Sequence, residues 1–195
     1  MKILKVVLAI GMSILLSAGV MAPASAAMWY NPDTNKFEDR AATASRGGSP
    51  IKKQLVDYET RHKPGTIVIE TGERRLYLVL DGGKAMQYGI GVGRDGFRWS
   101  GTHRITRKAE WPGWTPPPAM RKRVPDLPAY MPGGPDNPLG ARALYIGSTL
   151  YRVHGTSEPW SIGQAVSSGC IRLTNDDVID LYDRVQVGAL IVVNH

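Results

Sequence analysis

Short apolar runs separated by turn residues dominate the chain from Ile51 onward and predict a mostly β domain. Turn sequences such as Thr71-Gly72-Glu73 and Asp81-Gly82-Gly83 would join neighbouring strands as hairpins. In the run RRLYLVLDGG, apolar side chains occupy both faces, which indicates a strand covered on both sides. Strands are expected at residues 55–58, 66–70, 74–80, 86–92, 103–106, 144–146 and 151–153.

The segment LTNDDVIDLYDRV contains the clearest helical pattern. Thr174 or Asn175 can cap the helix, two aspartates follow at the positive end of its dipole, and apolar residues recur at helical spacing. Val187-Gly188 then marks a turn, and the apolar run ALIVV after it predicts a buried closing strand. Because strands and helices do not alternate, we expect a β-sandwich or distorted barrel with one or two short helices.

Residues 110–140 interrupt this pattern with a long proline-rich loop. Proline lacks a backbone donor, so we expect neither a helix interior nor a central strand there. A loop of this length in a compact domain is usually functional or disordered, and its large aromatic residues favour order. We expect Trp114 and Tyr130 to line a substrate cleft. An ordered surface crossing without a function is the alternative.

The first 50 residues differ in character from the rest. Two lysines precede an apolar run at residues 6–20, and Ala24-Ser25-Ala26 follows as a small-residue cleavage site. We therefore expect a secretory signal peptide over residues 1–26, cleaved after Ala26, and a periplasmic protein. The apolar run is shorter than the roughly 20 residues that a spanning helix needs, and no later segment is apolar enough to cross a bilayer. A flexible segment is predicted at 27–50 and the folded domain at 51–195.

Charge narrows the possible partners only slightly. The formal net charge of +7 fits a polyanionic cell wall, an anionic membrane surface or nucleic acid. Export and the scattered positions of the basic residues argue against nucleic acid.

Cys170 is the only cysteine, so the chain cannot form an internal disulfide. Its neighbours Ser167, Ser168 and Gly169 and the helix just beyond would place backbone N–H groups near the sulfur, which favours the thiolate. The N–H groups of Gly169 and Cys170 could also point at a developing oxyanion. The alternative is a buried cysteine that serves as a small hydrophobe.

A nucleophilic cysteine needs a base, and His154 is the best placed of the four histidines. It ends an apolar strand 16 residues before the cysteine, a gap that suits a loop and a return to the same rim. A backbone carbonyl around Gly155 is a candidate to orient the imidazole, and Glu158 is another. His103 is a weaker candidate for a site role, and His62 and His195 are expected to be bystanders. We expect no metal and no cofactor, since the chain has no second cysteine and no closely spaced histidine pair.

Arg172 lies two residues beyond the cysteine and carries a forked donor set suited to a carboxylate. A surface salt bridge or a helix-cap contact is the alternative.

HGT and SSGCIRL, with 16 positions from histidine to cysteine, resemble the signature of the L,D-transpeptidase catalytic domain, also called the YkuD domain. That signature is HG followed by [ST]-x-G-C-[IV]-R. The segments PGTIVIET, LYLVL and NPLGARALYI are similar to the family's strands and pre-catalytic segment, and the resemblance covers about residues 63–193. The stretch RWSGTHRI departs from the TPxG that many members have there.

The resemblance implies a β-rich cysteine enzyme that cross-links peptidoglycan stem peptides. Cys170 would attack the carbonyl between diaminopimelate and the terminal D-alanine of a tetrapeptide stem, with His154 as base. An amine of another diaminopimelate would then resolve the thioester into a 3→3 cross-link. Gly155 would orient the histidine and Gly169 would help form the oxyanion hole. Ser167, Ser168 and Arg172 would contact the substrate together with the two loop aromatics, Trp114 and Tyr130.

Two other hypotheses stay open. The same thioester could pass to water, to a free D-amino acid or to an amine of an outer-membrane protein, which would make the chain a carboxypeptidase, an exchange enzyme or an anchoring enzyme. A catalytically silent wall-binding module is the third.

Overall fold

The computed structural model describes residues 28–31, 36–39 and 48–195. Its strands are β1 (Met28–Asn31), β2 (Lys36–Asp39), β3 (Gln54–Asp57), β4 (Ile67–Glu70), β5 (Arg75–Leu80), β6 (Lys84–Gly89), β7 (Val92–Gly93), β8 (Gly101–Glu110), β9 (Arg142–Ile146), β10 (Arg152–His154), β11 (Ala165–Ser167), β12 (Ile171–Arg172) and β13 (Leu190–Asn194). The helices are α1 (Pro118–Arg123), α2 (Asn175–Arg184) and a 3₁₀ turn at Pro159–Ser161. The predicted fold class, mostly β with short helices, is confirmed.

One curled sheet carries the domain, in the strand order β12-β10-β9-β8-β13-β4-β5-β6-β3. Each predicted strand overlaps an observed one, and both predicted hairpins form, since β5 pairs antiparallel with β4 and with β6. The closing strand β13 lies inside the sheet, parallel to β4 and antiparallel to β8. The short strands β11 and β12 were not predicted, because two or three residues are too few to show a period. The predicted strand 86–92 is divided in the structure into β6 and the start of β7.

The predicted helix forms as α2. Thr174 is its N-cap, and the Thr174 hydroxyl accepts a hydrogen bond from the Asp177 backbone N–H at 3.1 Å. Val178 and Leu181, both fully buried, place the apolar stripe of the helix in the main core. The helix therefore packs its apolar stripe against the core side of the sheet.

The proline-rich segment is ordered and has a small core of its own, formed by Trp114, Met120, Leu127 and Leu139. The expectation that this segment contains no helix was wrong over α1. That helix begins at Pro118, where the missing N–H has no intrahelical partner to lose and the fixed φ suits the first turn.

Two short stretches of the N-terminal segment are described. Strands β1 and β2, at residues 28–31 and 36–39, pair antiparallel. The predicted signal peptide, residues 1–26, lies outside the described residues. In the part of the chain that the structure describes, no helix has both the length and the hydropathy of a membrane span.

Successive side chains of β10 point to opposite faces of the sheet, which determines which of them lie outside the core. Val153 points into the core and is fully buried, as are Leu144 on β9 and Ile171 on β12, its partners in the register. Arg152 and His154 therefore occupy the opposite, outer face of the sheet. The candidate site lies on this face.

Candidate active site

Cys170 lies in the tight connection between β11 and β12. Gly169 before it has φ +104°, a conformation that favours glycine. A Cβ on Gly169 would also come within 2.4 Å of the Tyr151 ring. Two independent constraints therefore require glycine immediately before the thiol.

The pairing of β10 with β12 places His154 and Cys170 close together on the outer face of the sheet. Strands β10 and β12 run parallel, with Val153 opposite Ile171 and His154 opposite Arg172. Continuing this register by one residue places Cys170 opposite Arg152. His154 and Cys170 are then diagonal neighbours on the same face, about 8 Å apart at Cα from ordinary strand spacings, which an imidazole can bridge.

The imidazole of His154 is held in one orientation. Its Nδ1 lies 2.5 Å from the Gly155 carbonyl oxygen. A carbonyl can only accept, so Nδ1 carries the proton and Nε2 keeps a lone pair for use as a base. Burial lowers the pKa of His154 to about 4, although hydrogen bonding to the Gly155 and Leu139 carbonyls counteracts this. At neutral pH the ring is therefore uncharged.

The NPLG segment brings the Leu139 carbonyl to this histidine. Gly140, which follows, has φ +63°, and a Cβ there would lie 2.6 Å from the Thr156 backbone nitrogen. Asn175, the first residue of α2, accepts a hydrogen bond from the Ala141 N–H at 2.9 Å and anchors the same segment. The close approach explains why glycine stands at position 140.

The thiol of Cys170 is uncharged as well. The residue is half-buried, and desolvation of the sulfur raises the pKa of Cys170, while the charge of Arg152 and hydrogen bonding from it act in the opposite direction. The site therefore holds a neutral thiol beside a neutral imidazole. Such a pair reacts when the imidazole removes the thiol proton as the sulfur attacks.

Two predicted roles do not fit the contacts around the thiol. Ser167, expected to bind substrate, is buried, and its hydroxyl donates to the Cys170 carbonyl at 2.6 Å and accepts from the Gly169 N–H at 3.2 Å. That hydrogen bond occupies the Gly169 N–H, which argues against its predicted place in an oxyanion hole. Both groups instead hold the turn that presents Cys170.

Arg172 is also placed differently from the prediction. It is only 3% exposed and forms an ion pair with Glu158, 3.1 Å from Nη1 to Oε2. Burial lowers the pKa of Arg172 to about 9, so it stays protonated at neutral pH. The substrate contact of Arg172 and the orienting role of Glu158 stay predictions, and the structure shows both side chains in this buried ion pair.

The two loop aromatics differ from each other. Trp114 was expected to line the cleft, but it is 5% exposed within the loop's own core because it packs on Met120 and Leu139. Tyr130 is 59% exposed and lies over Gly113, so its side chain remains accessible to a ligand. Ser168 is half-buried beside the thiol.

A family model for the L,D-transpeptidase catalytic domain, YkuD, matches residues 64–193. The chain belongs to the L,D-transpeptidase family. Among curated relatives it is similar to the "Probable L,D-transpeptidase ErfK/SrfK" of Escherichia coli K12, with 44% identity over 71% of this chain and 46% of that protein. The chain spans about half the length of the first curated relatives it matches, 46% and 53%.

Solved structures share the L,D-transpeptidase fold. One, from Brucella melitensis, is described as a "Probable carnitine operon oxidoreductase caia"; it is 45% identical with a TM-score of 0.51, over 72% of this chain and 91% of that chain. L,D-transpeptidase 3 from Mycobacterium tuberculosis, in complex with a faropenem-derived adduct, is 19% identical with a TM-score of 0.54, over 67% of this chain and 60% of that chain. At that identity the second likeness supports the fold alone.

Sequence reasoning missed two residues of this L,D-transpeptidase site. Trp99 donates from its indole Nε1 to the Gly169 carbonyl at 2.8 Å and stacks on Tyr151 with ring centroids 4.6 Å apart. Its signal was the stretch RWSGTHRI, which departs from the family pattern at this point. Arg152 had no signal, because only the strand register shows that it faces the thiol.

The remaining histidines lie apart from the thiol–imidazole pair. The His103 ring meets the edge of Trp99 at a centroid distance of 5.7 Å, and His195 Nδ1 lies 3.3 Å from the Thr71 hydroxyl. The His62 backbone N–H donates to the Thr60 hydroxyl at 3.2 Å. Over the described ranges 28–31, 36–39 and 48–195, no three His, Cys, Asp or Glu residues are grouped so that they could bind a metal ion.

Proposed function

We propose that this protein is a peptidoglycan L,D-transpeptidase that uses Cys170 as nucleophile and His154 as base. The observation that carries the proposal is the pairing of β10 with β12, which brings a neutral imidazole with a free Nε2 to the same face and rim as the lone thiol. Membership of the L,D-transpeptidase family supports the same reaction class.

In the first half-reaction, the Cys170 sulfur attacks the carbonyl carbon between diaminopimelate and the terminal D-alanine of a tetrapeptide stem. His154 Nε2 takes the thiol proton, and the carbonyl becomes a tetrahedral oxyanion. We assign the Cys170 backbone N–H as one donor to this oxyanion, since the Gly169 N–H is engaged by Ser167. The C–N bond then breaks, the proton passes from His154 to the departing amine, and D-alanine leaves a thioester on Cys170.

In the second half-reaction, the side-chain amine of another diaminopimelate attacks the thioester carbonyl. His154 takes a proton from this amine and returns it to the sulfur, so the thiol is regenerated and a 3→3 cross-link forms. The Gly155 carbonyl keeps Nδ1 protonated throughout, which leaves Nε2 as the proton acceptor.

The test is to incubate the purified protein with tetrapeptide muropeptides and to identify the products by mass. We expect dimers together with released D-alanine, and no product with Cys170→Ala. Tripeptides without dimers would show that water is the acyl acceptor. Dimers that form equally well with Cys170→Ala would overturn the proposal.

The same experiment can test alternative acceptors of the acyl group. Added D-methionine would appear in the fourth position of the stem if the thioester is exchanged. A lysine-bearing peptide would gain the tripeptide mass if an outer-membrane protein is the acceptor. The acyl half-reaction is common to all these outcomes, so each one keeps Cys170 as nucleophile and changes only the amine that receives the acyl group.

The proposed reaction needs a protein outside the cytoplasmic membrane, where peptidoglycan lies. We propose export by residues 1–26, with cleavage after Ala26 and a periplasmic location. N-terminal sequencing of the protein from a periplasmic extract should begin at Ala27. A protein that retains Met1 in the cytoplasmic fraction would contradict this.

A further inference from the structure

The ion pair of Arg172 with Glu158 leaves open which cation meets the charged groups of the stem peptide. Arg172 is 3% exposed, and its guanidinium already pairs with a carboxylate. The outer face of the sheet offers two other arginines. They lie in one row with the thiol.

The row crosses three strands in register. On β9, Tyr145 lies directly opposite Arg107 of β8 on one side and Arg152 of β10 on the other. The guanidinium carbon of Arg107 lies 3.5 Å from the Tyr145 ring centroid, and that of Arg152 lies 5.3 Å away. We call these three residues the cationic row. A β-bulge in β8, between Ile105 and Arg107, allows Arg107 to project onto this face.

The cationic row ends at the nucleophile. Arg152 faces Cys170, because the register that pairs Val153 with Ile171 places them side by side. From Cys170 to Arg107 is three strand spacings, about 14 Å. With the scissile bond at the thiol, the three stem residues on the acyl side extend about 10 to 11 Å. The Arg107 guanidinium leans over the Tyr145 ring on the neighbouring strand, which shortens the remaining distance.

The row offers unused hydrogen-bond donors to a ligand. Arg152 Nε is buried without a hydrogen-bond partner, which is uncommon for a buried polar atom. Arg107 is exposed, and stacking on a ring leaves the N–H edges of its guanidinium free to bind a carboxylate in a forked arrangement. The stem peptide carries carboxylates, including the one on its terminal D-alanine.

We propose that the cationic row, Arg107, Tyr145 and Arg152, is the binding surface for the carboxylates of the donor stem peptide. This inference rests on the proposed function and adds the residues that select an anionic donor. Tyr145 lies between the two arginines in the strand register, and its ring contacts both guanidinium groups. Arg152 binds close to the scissile bond, and Arg107 binds a carboxylate farther along the stem.

Arg107→Gln is the decisive variant, because Arg107 is exposed and lies too far from the thiol to change its reactivity. We expect KM for a tetrapeptide muropeptide to rise about tenfold, with kcat little changed. Arg104→Gln is the matched control: it removes the same charge from an exposed position on the same strand, outside the row, and should leave KM unchanged. Amidation of the stem carboxylates should raise KM for the unaltered protein, and Arg107→Gln should add no further loss.

Binding to the inactive Cys170→Ala protein separates this proposal from the proposed function. Calorimetry should show about tenfold weaker binding of the tetrapeptide stem when Arg107→Gln is added to Cys170→Ala. Equal affinity, or the same weakening by Arg104→Gln, would overturn the cationic row even if the protein turns over muropeptides. If the protein binds the stem through Arg107 but never releases D-alanine, the binding role of the cationic row is supported and the proposed transpeptidase activity is refuted.

Discussion

Two rows of side chains cross the outer face of the sheet, and they differ in what surrounds them. One row contains His154 and Arg172, both 3% exposed, beside the proline-rich loop. The other contains Arg152 and the half-buried Cys170 and continues to the exposed Arg107. In our proposal the first row supplies the base and a buried ion pair, and the second row binds the stem peptide. Two arginines, each two positions from a reactive residue, thus have different tasks because one is buried against a carboxylate and the other is not.

The largest expected effect is on the buried base. His154→Gln removes Nε2 as a proton acceptor in the buried row while keeping a side chain of similar size. We expect acylation of Cys170 to slow by about a thousandfold, the middle of the range for general-base catalysis. Rapid-quench mass spectrometry of the protein with a tetrapeptide stem measures this. A loss of less than tenfold would mean that the rim contains another base.

The next largest effect is the loss of unfolding free energy when the Arg172–Glu158 ion pair is broken. Arg172→Met leaves the Glu158 carboxylate buried without its partner, and such changes cost about 3 to 5 kcal/mol of unfolding free energy. Chemical denaturation measures it, and Arg172→Met combined with Glu158→Leu should recover most of the loss. As a control, Arg184→Gln breaks an exposed pair with Asp180 and should cost less than about 1 kcal/mol. If Arg172→Met keeps its stability and only raises KM, Arg172 binds substrate after all.

Acid should destabilise the buried row in a defined pH window. The folded pKa of His154, about 4, lies below its ordinary value of 6.5, so between these pH values the unfolded chain binds a proton that the folded chain does not. Stability is fully present above pH 6.5 and declines as the pH falls toward 4, by about 3 kcal/mol in total. Denaturation midpoints measured across this range should fall, and His154→Gln should flatten that part of the curve. Parallel curves for the two proteins would contradict the burial of a neutral imidazole.

The smallest effect concerns the support of the thiol loop. Trp99→Phe keeps a ring to stack on Tyr151 but removes the hydrogen bond to the Gly169 carbonyl, worth about 1 kcal/mol. We expect acylation to slow by less than about tenfold. Trp111→Phe, in the exposed part of the proline-rich loop, should leave the rate unchanged. An equal loss in both variants would show a general effect on the fold.

The main elements were predictable because they depend on local patterns. The hairpins around β5 and the helix α2 follow from turn residues and from an N-cap with an apolar stripe. The Cys170 and His154 pair followed from their residue types and spacing, and the structure brings them to one face through a parallel pairing. The contact of Gly155 with the imidazole was expected for the same reason.

The rest depended on tertiary partners that no local pattern encodes. Arg172 and Arg152 look alike as residues, and only Glu158 and the strand register distinguish them. The sequence did not show that Trp114 is buried and Tyr130 exposed, because the small core around Trp114 depends on residues as distant in the chain as Leu139. Long-range contacts therefore decide which of these polar and aromatic side chains are buried.

The most direct test of the account is the mass and position of the acyl group after incubation with a tetrapeptide stem. We expect the peptide containing Cys170 to gain the mass of the stem without D-alanine, and the corresponding peptide of Cys170→Ser to gain no acyl group. A stem-derived adduct on another residue, or D-alanine release that persists in Cys170→Ser, would contradict it.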